Sequence, residues 1–313
     1  MGFEPVSASV LGARMWWLLG ERPCSPKACL AIVRTTDGGR SFVAVSAPAL
    51  RYELAGCPYV AVSALAFADA RDGYAYGCQL YVTHDGGVRW RAVSLGGYVT
   101  DVAVGAGEAY AIVSAPNGTN RLMRSSTARE HWTALPTGGD PVNVTVRGRA
   151  LFVQMDAGRL LISHDQGATF SRNNTVGFGL PCAAQPVTRR VLWAFCAGGT
   201  MGHVLRSTNG GRSFRLAEGG KEGGGASDEY HGAAFAAASA STAVVGFEQL
   251  LRTTDAGRSY QEVGPRGEQW VFLAFGDPTH GVALAGPPDG AGPADHVYVT
   301  ADGGRSFTLI PVR

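Results

Sequence analysis

The chain has 313 residues, of which 45% are apolar and 17% are charged, and it contains 44 glycines and 16 prolines. This composition is typical of short strands joined by tight turns, and it excludes a helical or a disordered chain. The net charge of +2 offers no concentrated basic surface, so neither a nucleic acid nor an anionic membrane is expected as a partner.

The beginning of the chain, residues 1–5, contains neither a basic segment nor a long apolar one. It therefore lacks the features of a signal peptide, and it looks like the start of a trimmed or mature chain. No later apolar run reaches the roughly 20 residues that cross a bilayer, so no transmembrane segment is expected.

A short motif returns seven times along the chain. It consists of a serine or threonine, an aspartate two positions later, a glycine two positions after that, and a large aromatic residue three positions further on. Its six well-preserved copies occupy residues 35–42, 83–90, 163–170, 207–214, 253–260 and 300–307. A degenerate copy at 125–132 keeps only the hydroxyl and the aromatic residue. The copies follow one another at steps of 38 to 48 residues.

A period of this length, built from short strands, is the signature of β-propeller blades. The sequence therefore predicts an all-β fold with one domain, a seven-bladed propeller of four-stranded antiparallel blades. The repeated turn is expected between the third and fourth strands of each blade. The predicted blades cover approximately residues 3–46, 58–95, 98–136, 141–174, 185–218, 231–264 and 269–312.

The second blade shows the strand plan most clearly, with strands predicted at 60–67, 74–77, 80–83 and 90–94. The corresponding first strands of other blades are predicted at 6–10, 99–104, 142–146, 233–237 and 271–275. The chain thus begins with an inner strand and ends with an outer one. No strand is left to cross the seam of the ring, so blades 1 and 7 are expected to meet through side chains alone.

Each residue type in the repeated turn has a physical role. The carboxylate can accept N–H groups of its own turn, the glycine can adopt a positive φ, and the aromatic ring can pack between neighbouring sheets. We interpret the residues at the third position as structural: Asp37, Asp85, Asp165, Asn209, Asp255 and Asp302. In the degenerate copy, Thr127 and Arg129 replace the aspartate and the glycine, and this turn is expected to be the loosest.

Six cysteines are distributed so that each has a partner at a neighbouring strand end or within one loop. The expected disulfides are Cys24–Cys29, Cys57–Cys78 and Cys182–Cys196. The alternative is six buried free thiols in a cytosolic protein. Because disulfides persist in oxidising compartments, we expect an exported protein in the periplasm, at the cell surface or outside the cell.

The repeated turn resembles the Asp-box, or BNR, repeat. The whole chain resembles the photosystem II assembly factor family of exported seven-bladed propellers. Residues 67–69, 73–77 and 83–90 match the rhythm of that family, Phe-x-Asp, Gly-Tyr-Ala-x-Gly and Thr-x-Asp-Gly-Gly-x-x-Trp. The resemblance implies a chaperone-like binding scaffold without catalytic chemistry. The arginine-rich patch of the family has no counterpart here that can be matched residue by residue.

A ligand site is expected where the loops are longer than folding requires, on the face that carries the second-to-third and fourth-to-first connections. The long loops are 46–59, 173–186, 217–231 and 286–296, and segment 266–268 leads into the last first strand. The candidate ligand-binding residues on the rim of blades 1, 2, 6 and 7 are Arg51, Tyr52, Glu53, Asp228, Glu229, Tyr230, His231 and Trp270. The alternative is a solvated glycine-rich loop and a Trp270 ring packed between blades 6 and 7.

Some features of the sequence are shared with enzymes. Sialidases share the repeat, but they have six blades, and their Arg-Ile-Pro motif is absent here because residues 13–18 read Ala-Arg-Met-Trp-Trp-Leu. The seven histidines show no metal-binding spacing, so neither a metal nor a cofactor is expected. The favoured function is an exported, monomeric, non-enzymatic binding or assembly scaffold for a protein or glycan ligand. The alternative is a carbohydrate-active enzyme, sialidase-like or another glycoside hydrolase.

Overall fold

A computed structural model describes residues 2–24, 28–48, 62–176, 182–198, 201–217, 234–246, 248–287 and 294–312. In these residues the chain forms seven four-stranded antiparallel sheets, each made of four consecutive strands. Their only helical element is one 3-10 turn at Asp156–Gly158. The predicted all-β, seven-bladed propeller is therefore confirmed. Among the same residues, no helix has the length and apolar character needed to span a membrane.

Each blade begins with its inner strand and ends with its outer strand. The strands of blades 1 to 4 are β1 (Glu4–Val10), β2 (Trp16–Pro23), β3 (Ala28–Thr35), β4 (Val43–Val45); β5 (Ala64–Phe67), β6 (Gly73–Tyr76), β7 (Leu80–Thr83), β8 (Arg91–Val93); β9 (Tyr98–Gly105), β10 (Glu108–Ser114), β11 (Asn120–Ser126), β12 (Arg129–Leu135); β13 (Pro141–Arg147), β14 (Ala150–Met155), β15 (Arg159–Ser163), β16 (Ser171–Thr175).

The remaining three blades follow the same order. Their strands are β17 (Cys182–Pro186), β18 (Leu192–Gly198), β19 (Met201–Ser207), β20 (Arg215–Leu216); β21 (Ala234–Ala237), β22 (Ala243–Gly246), β23 (Leu250–Thr253), β24 (Gln261–Val263); β25 (Gln269–Phe275), β26 (Gly281–Gly286), β27 (His296–Thr300), β28 (Thr308–Ile310). The predicted first strands coincide with β1, β9, β13, β21 and β25 to within two residues at each end. In blade 2 the first strand begins later than predicted, at Ala64.

The core is divided among the interfaces between blades. Seven clusters of buried side chains occur in the described residues, and each joins two neighbouring blades, from blades 1 and 2 round to blades 7 and 1. Between blades 1 and 2, for example, the Trp17 ring stacks on Phe67 with 3.8 Å between ring centroids. A blade has little core of its own, so the ring is held by these interfaces.

The seam of the ring is closed in the way the sequence predicts. In the described part of the chain, the four strands of blade 1 and the four of blade 7 are consecutive, so no described strand is shared between the two sheets. Trp16 and Leu18 of blade 1 instead pack against Val282, Leu284 and Val297 of blade 7. The seam therefore depends on apolar burial without a hydrogen-bonded strand pair.

Two of the predicted disulfides are present, Cys24–Cys29 and Cys182–Cys196. Cys182 and Cys196 are directly opposite each other in the pairing of β17 with β18, which explains why strand order identified this pair. The third pairing involves Cys57, which lies outside the described residues. No cysteine within the described part of the chain is a free thiol.

The six preserved turns have one common geometry. The first residue is buried in all six turns, and its hydroxyl accepts the N–H of the fifth residue at 2.7–3.0 Å. The same hydroxyl donates to the side-chain oxygen of the third residue, which also accepts the N–H of the seventh at 2.8–3.0 Å. The glycine at the fifth position has φ between 80° and 93°, as the sequence predicts.

The degenerate turn of blade 3 does not match its prediction. It is a tight hairpin in which Ser126 pairs with Arg129 across two residues, so the expectation of a loose turn was wrong. The N–H of Thr127 donates to Gly107 O at 3.0 Å, and this bond fixes the turn. The shorter turn lengthens the outer strand β12 to seven residues. Glu130 on that strand contacts His84 Nε2 of blade 2 at 2.9 Å.

Replacing Ala256 by glycine is expected to raise the free energy of unfolding by about 1 kcal/mol, because Ala256 holds φ = 68° at a position where four other copies have glycine. Urea denaturation measures the change. Gly257→Ala is the control in the same turn, and it must destabilise because a Cβ there would lie 2.4 Å from the Ala217 Cβ. A loss of stability in Ala256→Gly would contradict the backbone argument.

The turn carboxylates also predict a pH dependence of stability. Hydrogen bonds from the Ser259 side chain and backbone lower the pKa of Asp255 to about 2. The unfolded pKa is about 3.9, so this stabilisation is complete above about pH 5 and is lost progressively as the pH falls to about 2. Asp255→Asn should therefore weaken the acid dependence of the urea midpoint between pH 5 and 2. Asn209→Asp should strengthen it, and equal slopes in the two variants would contradict the assignment.

Candidate functional site on the upper face

The upper face carries the second-to-third and fourth-to-first connections, and the lower face carries the repeated turns. Of the predicted ligand-binding residues, seven lie outside the described residues: Arg51, Tyr52, Glu53, Asp228, Glu229, Tyr230 and His231. They stay predictions. The described part of the predicted rim includes the upper ends of blades 6 and 7 and part of those of blades 1 and 2.

Trp270 does not lie on the exposed rim, so its predicted ligand-binding placement is corrected in favour of the alternative, a ring packed between blades 6 and 7. The side chain is 0% exposed and packs between blades 6 and 7. Its ring centroid lies 5.0 Å from that of Tyr298 and 5.8 Å from that of Phe307. The cause is the alternation of side chains along β25, which directs this residue into the interface and leaves Val271, 47% exposed, at the surface.

The upper face has a cavity of about 530 Å³ between blades 6 and 7. We call it the acidic cavity, because three carboxylates and one guanidinium line it; the lining residues are Glu248, Gln249, Glu262, Arg266, Gly267, Glu268 and Gln269. Arg266 donates to both oxygens of Glu262, at 2.6 and 3.0 Å. This ion pair leaves an excess of negative charge from the other two carboxylates.

Glu268 connects the acidic cavity to the interior of blade 7. Its side chain is 11% exposed, and both carboxylate oxygens lie 3.0 Å from His296 Nδ1. The Tyr298 hydroxyl donates to the same carboxylate at 2.7 Å. The hydrogen bond with Glu268 raises the pKa of His296. Burial, and secondly the bond to Glu268, raises the pKa of Tyr298.

On the other side of His296 is a second cavity, of about 420 Å³, at the rim between blades 7 and 1. We call it the aliphatic cavity; its lining residues are Gly2, Phe3, Asp295, His296, Val297, Leu309, Ile310, Pro311 and Val312. Leu309 is 51% exposed. The Glu268–His296 pair therefore lies between a charged cavity and a mainly aliphatic one, in which Asp295 and His296 are the polar lining residues.

Asp101 on the inner strand β9 has a half-buried carboxylate. Its Oδ2 accepts the N–H of Val144 at 2.8 Å and the Asn143 side-chain amide at 3.0 Å, both from the inner strand of blade 4. Burial raises the pKa of Asp101 to about 6 despite these bonds. Among the residues that the structure describes, no group of three or more histidine, cysteine or acidic side chains is placed to hold a metal ion.

Sequence reasoning missed the Glu268–His296–Tyr298 group. Segment 266–268 and loop 286–296 were both assigned to the upper face of blade 7, but the contact joins residues 28 and 30 positions apart. No local motif marks such a pair. The only available signal was that a fourth-to-first connection and a second-to-third connection of one blade must end on the same face.

No protein-family model matches the chain, and no curated protein matches it. Solved structures do resemble it. YCF48 from Cyanidioschyzon merolae superposes with a TM-score of 0.57 at 16% identity, over 79% of this chain and 84% of that one. A structure of YCF48 bound to D1 peptide gives 0.56 at 15% identity, over 78% and 80%. U3-55K gives 0.65 at 10% identity, over 96% of both chains. Identities this low show a common fold only.

Proposed function

We propose that this chain is an exported propeller that binds a protein ligand on its upper face and acts as a non-enzymatic binding or assembly scaffold. The observation that carries the proposal is the pair of adjacent cavities, one acidic and one aliphatic, on that face. A peptide supplies charged and apolar side chains along one chain, and it can occupy both cavities. The bound peptide in the structure of YCF48 supports this ligand class, since it shows that a propeller can present a peptide site.

The lining of the cavities favours a peptide over a glycan. Sugars pack their C–H faces on exposed aromatic rings, and the aliphatic cavity offers a half-buried Phe3 among aliphatic side chains. The acidic cavity has three carboxylates against one guanidinium, so we expect lysine or arginine in the bound segment. The two disulfides support export, because such bonds persist in oxidising compartments.

The enzymatic alternative would need an activated nucleophile. Tyr298 and Glu268 form a tyrosine–carboxylate pair of the kind that a sialidase-like reaction uses. However, Tyr298 is only 5% exposed, and its pKa is raised, which is the opposite of activation. The alternative of a carbohydrate-active enzyme therefore rests on the predicted residues, such as Glu229, that lie outside the described part of the chain.

Peptide and glycan arrays probed with the whole chain test the proposal, together with a panel of chromogenic glycosides. We expect basic peptides with apolar flanks to bind, and Glu262→Gln to weaken that binding about tenfold. Glu108→Gln is the matched control, since Glu108 also pairs with an arginine, Arg124 at 3.4 Å, but on the lower side of blade 3. Glycan binding without peptide binding, or glycoside turnover that Glu229→Gln abolishes, would overturn the proposal.

A further inference from the structure

The orientation of His296 is fixed from one side of its ring. Nδ1 lies 3.0 Å from both oxygens of Glu268, and the Tyr298 hydroxyl holds that carboxylate in place at 2.7 Å. The Tyr298 ring also meets the imidazole edge-on, with 6.2 Å between centroids. Because Glu268 accepts the Nδ1 proton, the other ring nitrogen, Nε2, is the one available to a ligand.

The available edge of the ring faces the aliphatic cavity. The His296 side chain is 39% exposed, whereas Glu268 is 11% exposed, so the exposed part of the imidazole is the edge away from Glu268. His296 lines the cavity together with Val297, Leu309 and Ile310. An apolar wall beside one oriented polar group is the usual composition of a specific binding pocket.

The surrounding charges limit which group Nε2 can bind. Two carboxylates face the imidazole, Glu268 and Asp295, whose Oδ1 lies 3.7 Å from Nδ1, and the phenol of Tyr298 remains neutral. A protonated His296 therefore leaves a net negative charge at the site. A ligand carboxylate would be repelled. A neutral acceptor, such as a peptide carbonyl, can receive a hydrogen bond from Nε2–H.

We infer that His296 is a ligand-contacting residue that donates a hydrogen bond from Nε2 to a backbone carbonyl of the bound segment, next to an apolar side chain seated in the aliphatic cavity. Glu268 and Tyr298 are positioning residues for this contact. The inference rests on the proposed function and specifies the chemistry of its ligand, which is a neutral carbonyl followed by an aliphatic side chain.

His280 shows what an ordinary surface histidine looks like in the same blade. It is also 39% exposed, and its Nδ1 also lies 2.9 Å from a carboxylate oxygen, that of Asp277. It belongs to the lower-face connection between β25 and β26, and its partner is three residues away within its own turn. His280 is therefore a matched control for exposure and for the carboxylate contact.

The probe is N-acetyl-L-leucinamide, which contains neutral carbonyls and one aliphatic side chain. It is titrated into the whole ¹⁵N-histidine-labelled chain while the imidazole resonances are followed by NMR. We expect saturable shifts at His296 Nε2 and none at His280. His296→Phe, which keeps an aromatic ring but removes the donor, should weaken binding at least fivefold, and His280→Phe should leave it unchanged. Shifts of equal size at both histidines, or equal binding to His296→Phe, would overturn the inference.

A pH profile separates hydrogen bonding from simple packing. Since the pKa of His296 is raised, Nε2 remains a donor to higher pH than in an ordinary histidine, and the probe affinity should fall as the pH rises through that pKa. Glu268→Gln removes the charge that raises this pKa, so the fall should move to lower pH. A flat profile in the parent chain would contradict a contact through the Nε2 proton.

Failure of the His296 contact can be distinguished from failure of the proposed scaffold function. If the probe binds at His296 but the arrays reveal no peptide ligand, the contact stands and the scaffold function fails. If the arrays reveal peptides whose binding His296→Phe does not weaken, the scaffold function stands and the role of His296 fails.

Discussion

Replacing Trp16 by alanine is expected to lower the free energy of unfolding by about 3–5 kcal/mol. Trp16 is 2% exposed and packs against Leu284 and Val297 of blade 7, with its ring edge-on to Phe42 at 5.3 Å. The large loss follows because, among the described strands, none of blade 1 pairs with one of blade 7, so no strand hydrogen bonds compensate for the lost ring. Urea denaturation of the whole chain measures the change.

Trp17→Ala is the matched variant, since the next residue of the same strand packs in the opposite direction. Trp17 is 0% exposed, stacks on Phe67 of blade 2, and donates from Nε1 to Gly86 O at 3.2 Å. We expect an equal loss in the free energy of unfolding, but at the interface of blades 1 and 2 instead of the seam. Hydrogen exchange should rise in blade 7 for Trp16→Ala and in blade 2 for Trp17→Ala. A loss of less than about 1 kcal/mol in the free energy of unfolding, or the same exchange pattern in both variants, would contradict the conclusion that each interface between blades is stabilised by its own buried side chains.

Removal of the Cys182–Cys196 disulfide, by alanine at both positions, is expected to cost about 3 kcal/mol of stability. The bond closes a loop with a sequence separation of 14, and both cysteines are buried in the interface of blades 4 and 5. Loss of the bond enlarges the conformational freedom of the unfolded chain, and the folded sheet keeps its strand pairing. Urea denaturation of the double variant measures the effect.

The Cys24–Cys29 pair provides the comparison, because its sequence separation is only 5. The loop-entropy relation gives about 2 kcal/mol for this bond, a smaller loss than for the longer loop. The order of the two losses is the expected result. If the Cys24–Cys29 variant were the less stable one, the loop would have a packing role that chain entropy does not describe.

Most of the fold could be predicted because its determinants are local and repeated. In each preserved turn, residues within seven positions supply the hydroxyl, the carboxylate or amide, and the glycine, so a linear pattern contains the whole motif. The seven blades and the strand order within each blade follow from the spacing alone. The error in blade 3 has the same origin: a turn without the motif can still be tight, because Thr127 is held by Gly107 of the neighbouring hairpin.

The site was less predictable because its contacts are not local. Trp270 has the same neighbours in sequence whether its ring faces the channel or the interface, and only the register of β25 against β26 decides between them. Glu268 and His296 belong to two different connections, and their meeting depends on the twist and packing of blade 7. Sequence analysis could place both connections on one face, but it could not identify which side chains touch.

The seam has a consequence for the connectivity of the molecule. Because each blade is a complete four-strand unit, the junction between β28 and β1 is topologically equivalent to the junctions that the chain itself bridges, such as residues 94–97 between β8 and β9. Joining residue 312 to residue 2 and opening the chain at 94–97 would give a circular permutant with seven intact blades. The order of the blades in the gene is thus separable from their order in space. A blade could be gained by duplication or lost by deletion without cutting through a sheet.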